Sequence, residues 1–272
     1  MKVGIHAFDA NSHTAAGVER ARAAHAEAVC LTVDHVEGAA ERGVPDAEAL
    51  KAAVGRYEEA GIPVPAGYAG RWTNELMLDD PAHTEEFERL RKTLTVMAGA
   101  GMRGVLFYTT PARPADAAAE EQAFGRFVSF CNKLGTITDD LGIGIACHPW
   151  VSRPELLHGF RRLHQMTQQV PHSTVGITYC PGGALAGDDM HQVREQFRGR
   201  IHFAHLRDQI GDWRKFDEVF PGTGDVGIPE VVRKLRDSGY QGLLCPEHLG
   251  PGRPGHDVEA DAVAYAKQLR DS

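Results

Sequence analysis

The sequence predicts a single (β/α)8 barrel (a TIM barrel) filling residues 1–272, and three observations carry that expectation. Short apolar runs alternate with longer amphipathic ones along the whole chain. Eight such pairs divide 272 residues into units of about 34, the size of a strand, a helix and two short connections. The rival, a doubly wound open sheet, normally carries a glycine-rich phosphate turn after its first strand, and Phe8–Gly17 has no such turn.

The eight strands are expected at Val3–Phe8, Val29–Val33, Ile62–Gly67, Gly104–Tyr108, Ile143–Cys147, Thr174–Thr178, Ile201–His205 and Gly242–Pro246. The helices are expected at Ala16–Glu27, Asp46–Ala60, His83–Ala100, Ala115–Leu141, Pro154–Gln169, Asp188–Phe197, Pro229–Ser238 and Asp257–Leu269. Pro154 and Pro229 suit a first helical turn. Gly61, Gly101, Gly142 and Gly239 stand just beyond helix ends, where a left-handed residue is favoured.

Composition narrows the function classes. With 29 Lys and Arg against 37 Asp and Glu, the formal charge is −8 and no basic tract occurs. Nucleic-acid binding depends on clustered cations that release counterions, so no nucleic-acid partner is expected. No apolar run approaches the ~20 residues of a membrane span, and Met1–Ile5 leads directly into a strand rather than a signal peptide. The expectation is a cytoplasmic protein without a membrane partner. Five scattered cysteines without a CxxC pair argue against a disulfide framework.

Barrel active sites lie at the C-terminal ends of the strands, so the residues that end each strand matter most. In order these are His6 and Asp9; Asp34 and His35; Tyr68, Arg71 and Trp72; Tyr108; His148; Cys180; His205 and Arg207; and Glu247 with His248. Consecutive parallel strands are neighbours in a barrel. Two imidazoles, a thiolate and a carboxylate at the last four ends (His148, Cys180, His205 and Glu247) therefore converge on one patch and form a candidate divalent-metal site. Cys30, Cys131, Cys147 and Cys245 read as core residues, while His25, His83, His158, His164, His172 and His191 are expected on the solvated surface.

The stretch Ile143–Gly250 resembles the C-terminal half of the mannonate dehydratase family, within the xylose isomerase-like TIM barrels. The resemblance rests on Cys147-His148-Pro149, Thr178-Tyr179-Cys180-Pro181-Gly182-Gly183, Arg200-Ile201-His202-Phe203-Ala204-His205-Leu206-Arg207-Asp208 and Cys245-Pro246-Glu247-His248. Phe216–Phe220, Gly224-Asp225 and Leu235–Tyr240 follow in the family's order. It covers about 110 of 272 residues; the first half matches only in its strand–helix rhythm. The resemblance implies a Mn²⁺ or similar ion (Zn, Co, Fe or Ni being the other candidates) held by His148, Cys180, His205 and Glu247. It also implies dehydration of a sugar acid such as mannonate, with His248 transferring a proton. The chain departs from the family at Glu247, where Asp is usual, at Trp150-Val151, where two Asp are usual, and in having no Tyr after His248 until Tyr265.

Dehydration of a polyol acid needs an acidified C–H beside a carboxylate and help for a departing hydroxide, which a metal and a histidine can supply. Glu247 and His248 are adjacent, so on an extended strand their side chains are expected to diverge. Arg207 is the expected holder of a substrate carboxylate or hydroxyl, with Arg71, Tyr108 and His6 as further substrate-binding residues. The long Arg207–Gly227 segment is expected to cover the metal pocket as a lid. Two alternatives share this frame: an isomerase or epimerase of a sugar or keto-sugar, and a non-catalytic barrel that binds a sugar-like ligand. A homo-oligomer fits either.

Overall fold

Gly4 interrupts the first strand, and the interruption is where the barrel closes. In the computed structural model, which describes residues 1–70, 72–108, 110–151, 155–251 and 255–272, β1 (Lys2–Val3) pairs in parallel with the last strand and β2 (Ile5–Ala7) with the next. A Cβ at position 4 would stand 2.2 Å from the Ala28 carbonyl oxygen, so glycine alone permits this backbone approach.

The chain continues through α1 (Ala15–Ala23), β3 (Val29–Thr32), a short α2 (Ala39–Arg42), α3 (Ala47–Glu59), β4 (Ala66–Tyr68), α4 (Thr84–Gly99), β5 (Gly104–Phe107) and α5 (Ala117–Leu141). Then come β6 (Gly144–Cys147), α6 (Arg161–Gln169), β7 (Val175–Tyr179), α7 (Met190–Gln196) and β8 (Ile201–Leu206). A hairpin of β9 (Asp208–Asp212) and β10 (Lys215–Val219) precedes α8 (Ile228–Asp237), β11 (Leu243–Pro246) and α9 (Val258–Asp271). With β1 and β2 counted as one stave, the nine-stranded sheet makes eight parallel staves in sequence order, closed between β11 and β1. This is the expected barrel.

Local chemistry explains the helix limits. Asp46, Asp116, Asp189 and Asp257 accept hydrogen bonds from the first backbone N–H groups of α3, α5, α7 and α9. Gly142 ends the long α5 in a left-handed turn, φ 62°.

Two expectations are corrected. The third barrel strand is Ala66–Tyr68 rather than Ile62–Gly67. Pro63 and Pro65 have no N–H to donate, although their carbonyls accept from Val29, Arg103 and Gly104. Helix α6 starts at Arg161, after Gly159 at φ 65°, and not at Pro154, which lies outside the described residues. Most of Arg207–Gly227, the segment expected to act as a lid, is the antiparallel β9–β10 hairpin.

Alternation along each strand sorts residues between two cores. Facing out, Ala204 and Leu206 of β8, Cys147 of β6 and Leu244 of β11 pack against the helices in the larger cluster. Facing in, Cys30, Ala66, Leu106, Ala146, Phe203, Leu243 and Cys245 fill the barrel, with Phe8, Tyr68 and Tyr108 packed above them. Of the histidines expected on the surface, His25 is exposed; the other five are half-buried. His83 and His172 pair with Glu86 at 3.0 Å and Asp139 at 2.7 Å. The five cysteines are free and buried. Among the described residues no helix is long and apolar enough to cross a membrane.

Candidate metal centre

The inward period of each strand runs past the strand's end and delivers the site. Ala146 is followed two residues on by His148, Thr178 by Cys180, Phe203 by His205 and then Arg207, and Cys245 by Glu247. The period that packs the barrel interior thus places four ligand-type side chains at the mouth. One donor atom from each of His148, Cys180, His205 and Glu247 lies within 4.8 Å of the others. Donors sharing one ion sit about 2.0–2.3 Å from it, which puts tetrahedral donors roughly 3.3–3.8 Å apart, so the cluster would tighten to enclose a cation. The donor set, two imidazoles with a thiolate and a carboxylate, is chemically suited to a divalent transition metal.

The cluster is tightly wired. His205 Nδ1 stands 3.1 Å from Glu247 Oε2 and 3.3 Å from His148 Nε2. Cys180 Sγ lies 3.9 Å from Glu247 Oε2. His148, Cys180 and His205 are buried, and Glu247 is nearly so. Burial opposes charge on His205, but the Glu247 carboxylate and Cys180 overcome it and lift its pKa to about 9. Burial likewise opposes charge on Glu247, yet His205, with His148 and His6, holds its carboxyl well below the usual range. Burial pushes His148 well below its ordinary value, keeping that imidazole neutral.

Around the cluster, Tyr108 donates its hydroxyl to Glu247 Oε1 at 2.7 Å and stands 3.3 Å from His205 Nε2. It thus supports the carboxylate rather than facing solvent. Trp150 Nε1 donates to the Tyr108 carbonyl at 2.9 Å, a brace the sequence reading did not find. His6 packs edge-on to His205 with ring centroids 5.0 Å apart, and among the described residues neither of its buried nitrogens has a hydrogen-bond partner. Burial and then His205 drive its pKa down to about 3. Arg71 lies outside the described residues.

Two residues depart from expectation in their surroundings. Arg207 is buried, and its guanidinium is gripped by Glu218 of β10, Nη2 to Oε1 at 2.6 Å and Nε to Oε2 at 3.3 Å. His248 does not separate from Glu247 by strand alternation, because β11 ends at Pro246. Its backbone turns left-handed instead (φ 50°), leaving Nε2 4.0 Å from Glu247 Oε1 and Nδ1 3.6 Å from Glu218 Oε1. Glu218 is the site residue the sequence reading missed, although it sits in the matching Phe216–Phe220 segment.

The hairpin is held from below and from the side. Asp208, fully buried, accepts at Oδ2 from the N–H groups of Gly222 (2.9 Å) and Gly224 (2.8 Å). Its Oδ1 accepts from Gln209 and Val226. At the tip, Trp213 N–H donates to the Leu185 carbonyl in the turn that follows Cys180.

Comparisons with known proteins agree with this architecture. The family described as "Xylose isomerase-like TIM barrel" matches residues 18–269. The mannonate dehydratase of Rhizobium meliloti (strain 1021) is 28% identical over 195 residues, covering 64% of this chain and 48% of that protein. The first curated relatives are matched over 39% of their length, and the chain spans roughly a third to a half of the curated proteins it resembles. In three dimensions the mannonate dehydratase of Streptococcus suis serotype 2 superposes with a TM-score of 0.81 at 18% identity, over 100% of this chain and 93% of that one. A D-psicose 3-epimerase, solved in the presence of D-fructose, gives 0.78 at 15% identity over the whole of both chains. At such identities these two likenesses concern the fold.

Proposed function

The chain belongs to the xylose isomerase-like TIM barrel family, and on that premise we propose that it is a divalent-metal-dependent lyase that dehydrates a sugar acid such as mannonate. The observation that carries the reading is the convergence of His148, Cys180, His205 and Glu247 donor atoms within 4.8 Å. These four residues would hold the ion. A divalent cation there supplies positive charge that offsets an enolate and eases the departure of hydroxide. The resemblance makes Mn²⁺ the first ion to test, and the Cys180 thiolate also suits Zn, Co, Fe or Ni.

The chain's own residues do the rest. His248, half-exposed at the mouth, takes the proton from the carbon beside the substrate carboxylate. Arg207 orients that carboxylate. Tyr108 holds Glu247 Oε1 and so leaves Oε2 beside His205 and Cys180, and the Phe8–Tyr68–Tyr108 ring wall keeps water from the buried side of the substrate.

A second reading, epimerisation or isomerisation of a neutral keto-sugar, is favoured by one observation: Glu218 already satisfies the Arg207 charge. Product analysis separates the two. Metal-loaded protein incubated with D-mannonate should release a 2-keto-3-deoxy acid, one water lighter than the substrate. Unchanged mass with a new stereocentre from D-fructose would favour the second reading.

A further inference from the structure

We propose that Glu218 is a built-in stand-in for the substrate carboxylate: a sugar acid reaches Arg207 by displacing Glu218, which then passes to His248. The proposal rests on the sugar-acid reading above and names the residue that sets its selectivity.

The geometry leaves a carboxylate little other access. Arg207 is 4% exposed. Its guanidinium lies between Gly182, where even a Cβ would stand 3.0 Å from Nη1, and the two-point grip of Glu218. An incoming acid can therefore make the same two-point contact only where Glu218 now makes it. At Arg207 one carboxylate replaces another, and the extra negative charge, on the displaced Glu218, moves to the half-exposed rim rather than into the interior.

A second partner for the displaced carboxylate is already in place. His248 Nδ1 is 3.6 Å from Glu218 Oε1, and its side chain is half-exposed at the rim. The change asks only that the Glu218 side chain rotate, since the hairpin is fixed at Asp208 and at Trp213. Among the described residues the β9–β10 ladder pairs with no barrel strand, and Lys215 and Asp217 on β10 are exposed. The strand is anchored close by, because Asp208 pairs with Val219, the residue after Glu218, so it is the Glu218 side chain that turns. Because Glu218 is tethered beside Arg207, it competes at high effective concentration and weakens every acid ligand while leaving neutral ones untouched.

The test uses Mn²⁺-loaded protein with two probes, D-gluconate and its neutral counterpart D-sorbitol, and follows binding by calorimetry. Glu218→Gln should bind D-gluconate about tenfold more tightly than the unaltered protein and D-sorbitol equally well. In the unaltered protein D-gluconate, but not D-sorbitol, should change hydrogen exchange across residues 208–219. That measurement stands even if Glu218→Gln does not fold. Equal effects on both probes, or no change in gluconate affinity together with silent exchange, would make the Arg207–Glu218 pair structural and overturn the proposal. Neither probe needs to turn over, so a failure to form a 2-keto-3-deoxy acid from D-mannonate counts against the dehydratase reading alone.

Discussion

Tyr108 donates to Glu247 Oε1 at 2.7 Å while His205 Nδ1 lies 3.1 Å from Oε2 of the same carboxylate. Glu247 is thereby held at both oxygens, by residues from β8 and from the end of β5. A glutamate reaches one carbon further than an aspartate and has one more torsion to settle. The two contacts fix that torsion, so a flexible side chain enters the cluster in one orientation. Burial, with Glu247 beside it, pushes the Tyr108 hydroxyl well above its ordinary pKa, so it remains a donor throughout the working range.

Replacing Tyr108 by Phe should therefore loosen the carboxylate without disturbing the fold. The expected result is a loss of about tenfold or more in divalent-metal affinity, read by competition with a chromophoric chelator. The melting temperature of metal-free protein should move little, because the phenyl ring still packs on Tyr68 and His148. Unchanged metal affinity would mean that the hydroxyl has no part in orienting Glu247.

Metal uptake should depend steeply on pH, with a sign set by His205. Its folded pKa, about 9 against a reference of 6.5, is raised. In metal-free protein this group's contribution to stability is fully present below pH 6.5 and is lost as pH rises through 9. A cation must displace that proton, so affinity should climb by about tenfold per pH unit from near neutrality to pH 9 and then level off. Calorimetry in buffers of different ionisation enthalpy should record proton release on binding. Affinity independent of pH across this window would contradict the pairing of His205 with Glu247.

Asp208 anchors the hairpin through four backbone N–H groups while itself fully buried. Asp208→Asn turns an amide NH2 toward at least one of those donors, at a cost of about 1–3 kcal/mol. Amide exchange should accelerate over residues 208–226 and turnover should fall. Metal affinity should stay within about twofold, since three of the four ligand-type residues, His148, Cys180 and Glu247, are carried by other strand ends and His205 is fixed within β8. Equal loss of metal binding would show that the hairpin supports the cluster itself.

What could be read from the sequence follows from what is local. The four ligand-type residues were legible because they end successive strands, and the barrel's neighbour order needs no further information to bring them together. The helix ends at Gly61, Gly101, Gly142 and Gly239 were legible because each has a left-handed backbone that glycine adopts freely. The Arg207–Glu218 grip was not, because it depends on the β9–β10 register placing Glu218 opposite Gln209, just beyond Arg207. Nor was the direction of His248, set by a left-handed backbone that His seldom adopts. Pro63 and Pro65 misled the third strand's limits: the segment has strand composition but cannot donate to a ladder.

The barrel's seam should be its acid-sensitive point. Glu27, just before β3, accepts from the Val3 N–H at 2.9 Å and from Arg270 near the end of α9, tying the first stave to the last helix where the sheet closes. Burial alone would raise its pKa, but Arg270 and the Val3 N–H outweigh it and hold the carboxyl below its model-compound value of 4.5. A depressed carboxylate adds stability above the unfolded pKa and loses it as pH falls through the folded one. The contribution should thus be intact at neutrality and fade below about pH 4.5. Glu27→Gln keeps an acceptor for Val3 while removing the charge, so it should lower the melting temperature at pH 7 and narrow the gap to the unaltered protein below pH 4. The gap should also shrink in high salt, because the side chain is 31% exposed and its partner 19%. A gap that is constant from pH 7 to pH 3 would assign the seam to packing rather than to this ion pair.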